Sequence, residues 1–331
     1  MKKYYRIITV LLSLLLLYIL VRQINLADIK TLLQHIRLPY LWAAFGMYAV
    51  VNAFRAYRFW DLTGRQIKFV DMYTLTFAHA FVNSVAPARM GEFAYVYYVK
   101  KLNRVSLGTN IASLFIARVF DLLVAIAFML ISIFFVARGL HAFQQVVFLS
   151  VAGFVVMLAF ALLFFFWEAK VLGMVDFLFE LLRLKRFSFG NRAFEKINEI
   201  IRVVAAAREP RLFLRTILSS ALVWLAIYVM LWFIALGLGL PIGFWQSVFV
   251  ASLPTLASTL PFYTVGNFGL FEGSKTLALT LLGFLKELSI SFSFLSHIAE
   301  IVIFAVFGIP AHLWITFQWT ATAEGNFSTL A

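Results

Sequence analysis

Apolar runs near bilayer-spanning length recur along this chain, from Pro39–Phe54 through Ile111–Ala137 and Leu212–Leu236 to Phe292–Trp319, and they leave it few folds. Backbone crossing hydrocarbon must pair its own N–H and C=O groups, and a helix does this locally. Composition points the same way: 63% of residues are hydrophobic, 13% charged, with a mean hydropathy of +0.94. Soluble domains hold about a quarter charged residues. The expectation is an all-α integral membrane protein with 1–331 as a single transmembrane domain. A soluble helical bundle is set aside because too many runs approach spanning length. The net charge of +13 is read as Lys and Arg gathered in cytoplasmic loops, with no nucleic-acid partner. The chain has no cysteine, which excludes disulfides and thiolate metal sites.

Two places break the pattern. In Asn83-Ser84-Val85-Ala86-Pro87-Ala88-Arg89-Met90-Gly91-Glu92, a proline, a glycine and two opposite charges interrupt apolar sequence. Proline removes a backbone donor and disfavours helix in the residue before it. A helix arriving from Phe69–Ala86 should stop there, and the freed peptide groups must be buried in protein or line a wet cavity. The second break is Pro261–Gly269, followed by Glu272. Pro254 is expected to break the preceding apolar run Trp245–Leu260 as well.

The remaining chain organises around these breaks. Ile7–Val21, after Lys2, Lys3 and Arg6, reads as an uncleaved first span, because no small-x-small cleavage site follows. Pro39–Phe54 is a span ending at a basic cluster, Arg55, Arg58, Arg65 and Lys68, placed in the cytoplasm. Phe143–Trp167 is a further span. The polar region 168–215 reads as a cytoplasmic basic loop, with an interfacial helix over Val171–Arg183 suited to anionic lipid. Its alternative is a helix packed on other protein. This makes about six full spans plus two re-entrant broken helix pairs, with both termini at the cytoplasmic side of the inner membrane.

Two blocks resemble each other. One runs over about 39–137 and the other over about 212–319. Each holds a span, a broken pair turning at proline, glycine and glutamate, and a span with a basic residue and an acid three apart. Their starting sides are opposite, giving an inverted-topology repeat, the architecture of many secondary transporters.

Four charged pairs at i,i+3 spacing stand in these blocks: Arg89/Glu92, Arg118/Asp121, Glu272/Lys275 and His297/Glu300. On a helix each pair shares one face. A charge at membrane depth costs about 2.5 kcal/mol or more on insertion scales. Either these groups line a polar cavity for a charged head group, or they lock the broken helices together. The half-helix starts at Met90–Glu92 and Gly269–Glu272 favour an anion such as a lipid phosphate. Asn83, Ser84, Thr264 and Asn267 offer neutral hydrogen bonds. His79 faces the same region, though a lone histidine is more often a core residue. The five histidines are scattered, so no metal or other cofactor is expected, and Walker, dinucleotide and zinc-protease motifs are absent.

At Asn83-x3-Pro87-x-Arg89-x-Gly91-Glu92, Ala117-Arg118-x-x-Asp121 and Pro261-x4-Gly266-x2-Gly269-x2-Glu272, the chain resembles the lysylphosphatidylglycerol synthase transmembrane-region family. This is the membrane half of the multiple peptide resistance factor, also found as stand-alone proteins. A Gly-Gly-like pair is more usual in that family where Gly266-Asn267 stands here. The resemblance implies a flippase-like domain that moves an anionic or aminoacylated phospholipid, or a polyprenyl-linked lipid, between leaflets. About a dozen residues follow the last span, so the aminoacyltransferase domain of two-domain members is not expected, and neither is lipid synthesis. Arg89 and Arg118 would then hold phosphate. Glu92, Asp121, Glu272 and Glu300 would hold an amine or exchange protons, with Asn83, Asn267, Lys275 and His297 completing the site. Two alternatives stay open: a membrane-embedded head-group or glycosyl transferase, and a non-transporting accessory protein working with a separate lipid synthase. Large aromatic helix faces also leave a homodimer open.

Overall fold

The computed structural model describes residues 34–86, 90–101, 105–136, 168–183, 188–206, 209–258 and 265–327, with isolated positions near 30–32 and 152–159. The expected span Ile7–Val21, the expected span Phe143–Trp167 apart from those isolated positions, the turn residues Pro87–Arg89 and the stretch 259–264 lie outside them. The described residues form α-helices and one 3-10 turn, with no strand among them. In order the helices are α1 (Leu38–Leu62), α2 (Phe69–Val85), α3 (Met90–Lys101), α4 (Leu107–Val136), α5 (Glu168–Leu181), α6 (Ser188–Ala206), α7 (Pro210–Gly237), α8 (Phe244–Ala257), α9 (Leu270–Leu281) and α10 (Lys286–Phe327).

The helices α4, α7 and the Lys286–Phe317 part of α10 are long and apolar enough to cross a membrane. At about 1.5 Å per residue each exceeds the ~30 Å hydrocarbon thickness. The chain is an integral membrane protein with several such helices. Helix α1 is long too, but carries Arg55, Arg58 and Asp61 in its second half.

The core is a ring of mutual packing. Helix α1 lies along α7, α2 lies against α10, and α8 lies against α4; α2 also packs on α3, and α8 on α9. Two close approaches need glycine. A Cβ on Gly91 would fall 2.3 Å from Asn83 Cβ, so α3 meets α2 almost backbone to backbone beside the first break. A Cβ on Gly308 would fall 2.2 Å from Phe81 Cβ, where α10 crosses α2. Aromatic stacking fills the space alongside: Tyr48 on Phe304 and Phe77 on Phe307 tie α1, α2 and α10 together. Such pairs add about 0.5–1.5 kcal/mol beyond their buried area.

Three expectations need correction. Helix α1 does not end at Phe54. Its buried stripe Ala44, Tyr48, Val51, Asn52, Ala56, Phe59, Leu62 keeps helical spacing for two further turns, and carries Arg58 into the protein. Arg58 is therefore a core residue and not part of an exposed loop cluster. Helix α8 is not broken at Pro254, which sits inside it, one turn before its end at Ala257. The last helix continues beyond Trp319 to Phe327.

The second break is visible in the backbone. Gly266, Asn267 and Gly269 all take positive φ, at 61°, 56° and 87°. Asparagine tolerates this region better than most side chains, which is why Asn267 stands where a second glycine would serve. The first break begins at Ala86, which turns extended with ψ 140° while its N–H still donates to Val82.

Helices α5 and α6 form a separate pair over 168–206. Helix α6 packs against α4, with Ile201 and Val204 buried, and α5 packs on α6, with Phe179 against Phe194. Met174, Phe177, Leu178 and Leu181 of α5 are left exposed. The helix expected over Val171–Arg183 is present, with one side on protein and an apolar side open.

Candidate functional site

The helix ends converge on a cavity of about 480 Å³. The C-terminal end of α2 contributes His79, Asn83 and Ser84, and that of α8 contributes Pro254, Thr255 and Ser258. Arg55 and Arg58 come from α1, Arg118 and Asp121 from α4, Lys275 from α9, His297 and Glu300 from α10, and Asn267 from the second break. Of the residues expected from sequence, Asn83, Arg118, Asp121, Asn267, Lys275, His297 and Glu300 thus line a single cavity. Glu92 and Glu272 stand one shell back, each bonded to a lining residue. Arg89 lies outside the described residues.

Helical spacing gives the right faces but the wrong partners. Of the expected i,i+3 pairs, Arg118/Asp121, Glu272/Lys275 and His297/Glu300 do not close on themselves, and Arg89/Glu92 lies partly outside the described residues. Arg118 reaches from α4 to α3, where its Nε lies 3.0 Å from Glu92 Oε1. Asp121 is held instead by Arg58 of α1, with Nη1–Oδ1 at 2.6 Å and Nη2–Oδ2 at 3.0 Å. Trp224 Nε1 of α7 donates to the same Oδ1 at 3.0 Å, and Arg58 Nη1 also donates to Ser220 Oγ at 2.9 Å. On the other side, Glu272 of α9 accepts from His297 Nδ1 of α10 at 2.6 Å, while Lys275 of α9 pairs with Glu300 of α10 and donates to Ser296 Oγ at 3.1 Å. The reason is geometric. Residues three apart point the same way from one helix, so both look outward at a neighbouring helix and find their counter-charges there.

Apart from Arg118–Glu92, whose side chains are 39% and 31% exposed, these contacts are largely buried. Arg58 is 2% exposed, and Glu272, Lys275, His297 and Glu300 are buried as well. A bidentate Arg–carboxylate fork is the strongest common form of such a pair. It also fixes three helices, α1, α4 and α7, around one carboxylate. Glu272 makes a second contact, in which Oε2 accepts the backbone N–H of Gly269 at 2.7 Å and closes the first turn of α9. The start of α9, expected to be open to an anion, is therefore occupied by the chain's own carboxylate.

Other lining groups are less committed. His79 is 5% exposed, and neither ring nitrogen has a hydrogen-bond partner among the described residues. The side-chain oxygen of Asn83 also lacks one. Arg55 makes no hydrogen bond or ion pair with any described residue. Sequence reading missed Arg55 and Arg58 as site residues. The signal that would have found them is the apolar stripe of α1, which runs unbroken through both. Among the described residues no cluster of His, Asp or Glu is arranged to hold a metal ion.

A family model described as the lysylphosphatidylglycerol synthase TM region matches residues 6–308. No curated protein and no solved structure matches the chain.

Proposed function

The chain belongs to the lysylphosphatidylglycerol synthase transmembrane-region family, and from that premise we propose that it moves a phospholipid or lipid-linked head group across the cytoplasmic membrane. The observation that carries the proposal is the cavity itself: a space lined by charged side chains set among apolar ones, bounded by membrane-spanning helices and by the ends of two short ones. A head group enters it while the acyl chains stay in lipid.

The packing supports an inverted repeat within one transmembrane domain. Helix α1 corresponds to α7, α2–α3 to α8–α9, and α4 to α10. Under that exchange α2 on α10 becomes α8 on α4, and α1 on α7 maps onto itself. The pair Glu92–Arg118 becomes Glu272–His297, the same positions in both blocks. Such an exchange relates an inward-open to an outward-open arrangement by repacking alone, which is how many secondary transporters alternate access. In this reading the ion pairs between the short and long helices are the elements that break and re-form.

The test is leaflet exchange in proteoliposomes with labelled phosphatidylglycerol, its lysyl form and an undecaprenyl phosphate analogue. Wild type should move at least one, and Glu92→Gln and Glu272→Gln should slow that movement while the proteins stay folded. No movement of any of the three by folded wild-type protein would turn attention to the transferase or accessory readings.

A further inference from the structure

We infer that the cavity recognises a net-anionic, phosphate-bearing head group without an amine, and that Arg55 is its phosphate ligand. The inference rests on the cavity being the head-group site and narrows the cargo class.

The acids of the site are already committed. An aminoacyl or ethanolamine head group carries a cation that needs a carboxylate. The carboxylates at and behind the cavity wall are compensated by the protein's own cations: Asp121 by Arg58, Glu92 by Arg118, Glu300 by Lys275, with Glu272 bonded to His297. Asp121 has both oxygens engaged by the Arg58 fork, and Trp224 donates to one of them. An incoming ammonium would have to displace a protein side chain already bonded to one of these carboxylates, in buried pairs at Asp121, Glu272 and Glu300 and in a part-exposed pair at Glu92.

An incoming phosphate displaces no ion pair of Arg55 with a described residue. Arg55 lines the cavity with its guanidinium unpaired among the described residues, and a guanidinium matches a phosphodiester in a bidentate fork. Beside it, the ring nitrogens of buried His79 and the Asn83 side-chain oxygen have no hydrogen-bond partner among the described residues, and suit hydroxyl groups such as those of a glycerol head group. The carbonyl ends of α2 and α8 bring some negative dipole to the same space. That is partly answered within the chain, because Ser84 donates to Phe81 O, Thr255 to Ala251 O and Ser258 to Thr255 O. A full cationic charge therefore dominates what the open cavity offers.

The experiment uses the purified full chain in detergent and measures binding of dihexanoyl lipids by thermal shift and titration. The probes are phosphatidylglycerol, phosphatidylcholine and lysylphosphatidylglycerol. Phosphatidylglycerol should bind about ten-fold or more tightly than either of the others, the scale of one charge-assisted contact. Arg55→Gln should erase that preference without lowering the lipid-free melting temperature, and Arg55→Lys should keep part of it. Equal or tighter binding of lysylphosphatidylglycerol by wild type, or an unchanged preference in folded Arg55→Gln, overturns the inference. Binding is read without transport, so the two readings fail separately. Selective, Arg55-dependent binding with no leaflet exchange sinks the translocator and keeps the site. Exchange of the lysyl lipid without a phosphatidylglycerol preference does the reverse.

Discussion

Arg58 and Asp121, on helices α1 and α4, form a two-pronged contact at 2.6 and 3.0 Å, and Trp224 of α7 completes it. The contact spans three helices, of which α1 and α7 are joined again by the ion pair of Arg215 with Asp61. It also fixes the wall of the cavity at its most buried cation.

Removing one partner of this pair leaves the other charged and buried. Asp121→Asn should therefore destabilise the folded protein by about 3–5 kcal/mol. Changing both members, as in Arg58→Met with Asp121→Leu, should recover much of that loss, because no buried charge remains. Melting curves in detergent for the single and double variants check the cycle. Additive single losses in the double variant would show that the two side chains do not act as a pair.

Lys275 and Glu300 offer a different outcome. Both are buried between α9 and α10, and their contact links the short helix of the second break to the long span. If access alternates by movement of α9 against α10, Lys275→Met should reduce leaflet exchange more than it reduces the melting temperature. A variant that loses stability with exchange rates per folded protein unchanged would assign the pair a purely structural role.

Gly91 should not accept a side chain. Its added Cβ would sit 2.3 Å from Asn83 Cβ and 2.6 Å from Asn83 Cα, so the backbone of α2 or α3 must shift. Gly91→Ala should cost about 1–3 kcal/mol, the usual scale of overpacking. Gly46→Ala on α1 is the control, since its Cβ meets nothing within 4 Å. That change should be neutral or stabilising by up to about 1 kcal/mol, the helix propensity difference between the residues. Parallel thermal unfolding of the two variants decides the point.

Glu199 on α6 gives a pH dependence. Its carboxylate bonds Lys196 at 2.7 Å and accepts from the Ser106 hydroxyl at the start of α4. Those bonds hold Glu199 below its ordinary value of 4.5. A carboxylate depressed on folding stabilises the fold above its unfolded value, and that contribution is lost as pH falls through the folded one. The docking of α6 on α4 should therefore weaken below about pH 4.5, and not at neutral or alkaline pH. Hydrogen exchange over Ser188–Ala206, compared at pH 7 and pH 4 after correction for intrinsic rates, should show lost protection in wild type. Glu199→Gln should show it at both pH values. Protection in wild type that is flat with pH would count against the latch.

Local chemistry made much of this protein legible in sequence. Apolar length alone specifies α4, α7 and α10 as spans, since hydrocarbon demands internally bonded helices. Proline and glycine announce the ends of α2 and the start of α9, because those residues act on their own backbone. The gathering of Asn83, Arg118, Asp121, Asn267, Lys275, His297 and Glu300 around one space was also readable, because helical spacing determines which residues share a face. What spacing cannot say is which helix stands opposite that face. So Asp121 belongs to Arg58, Arg118 to Glu92, and Glu272 to His297, pairings that no local pattern contains. The same limit hid Arg58 itself. A cation after an apolar run looks like the end of a span until a carboxylate from another helix, brought near only by the packing of α1 against α4 and α7, makes its burial tolerable.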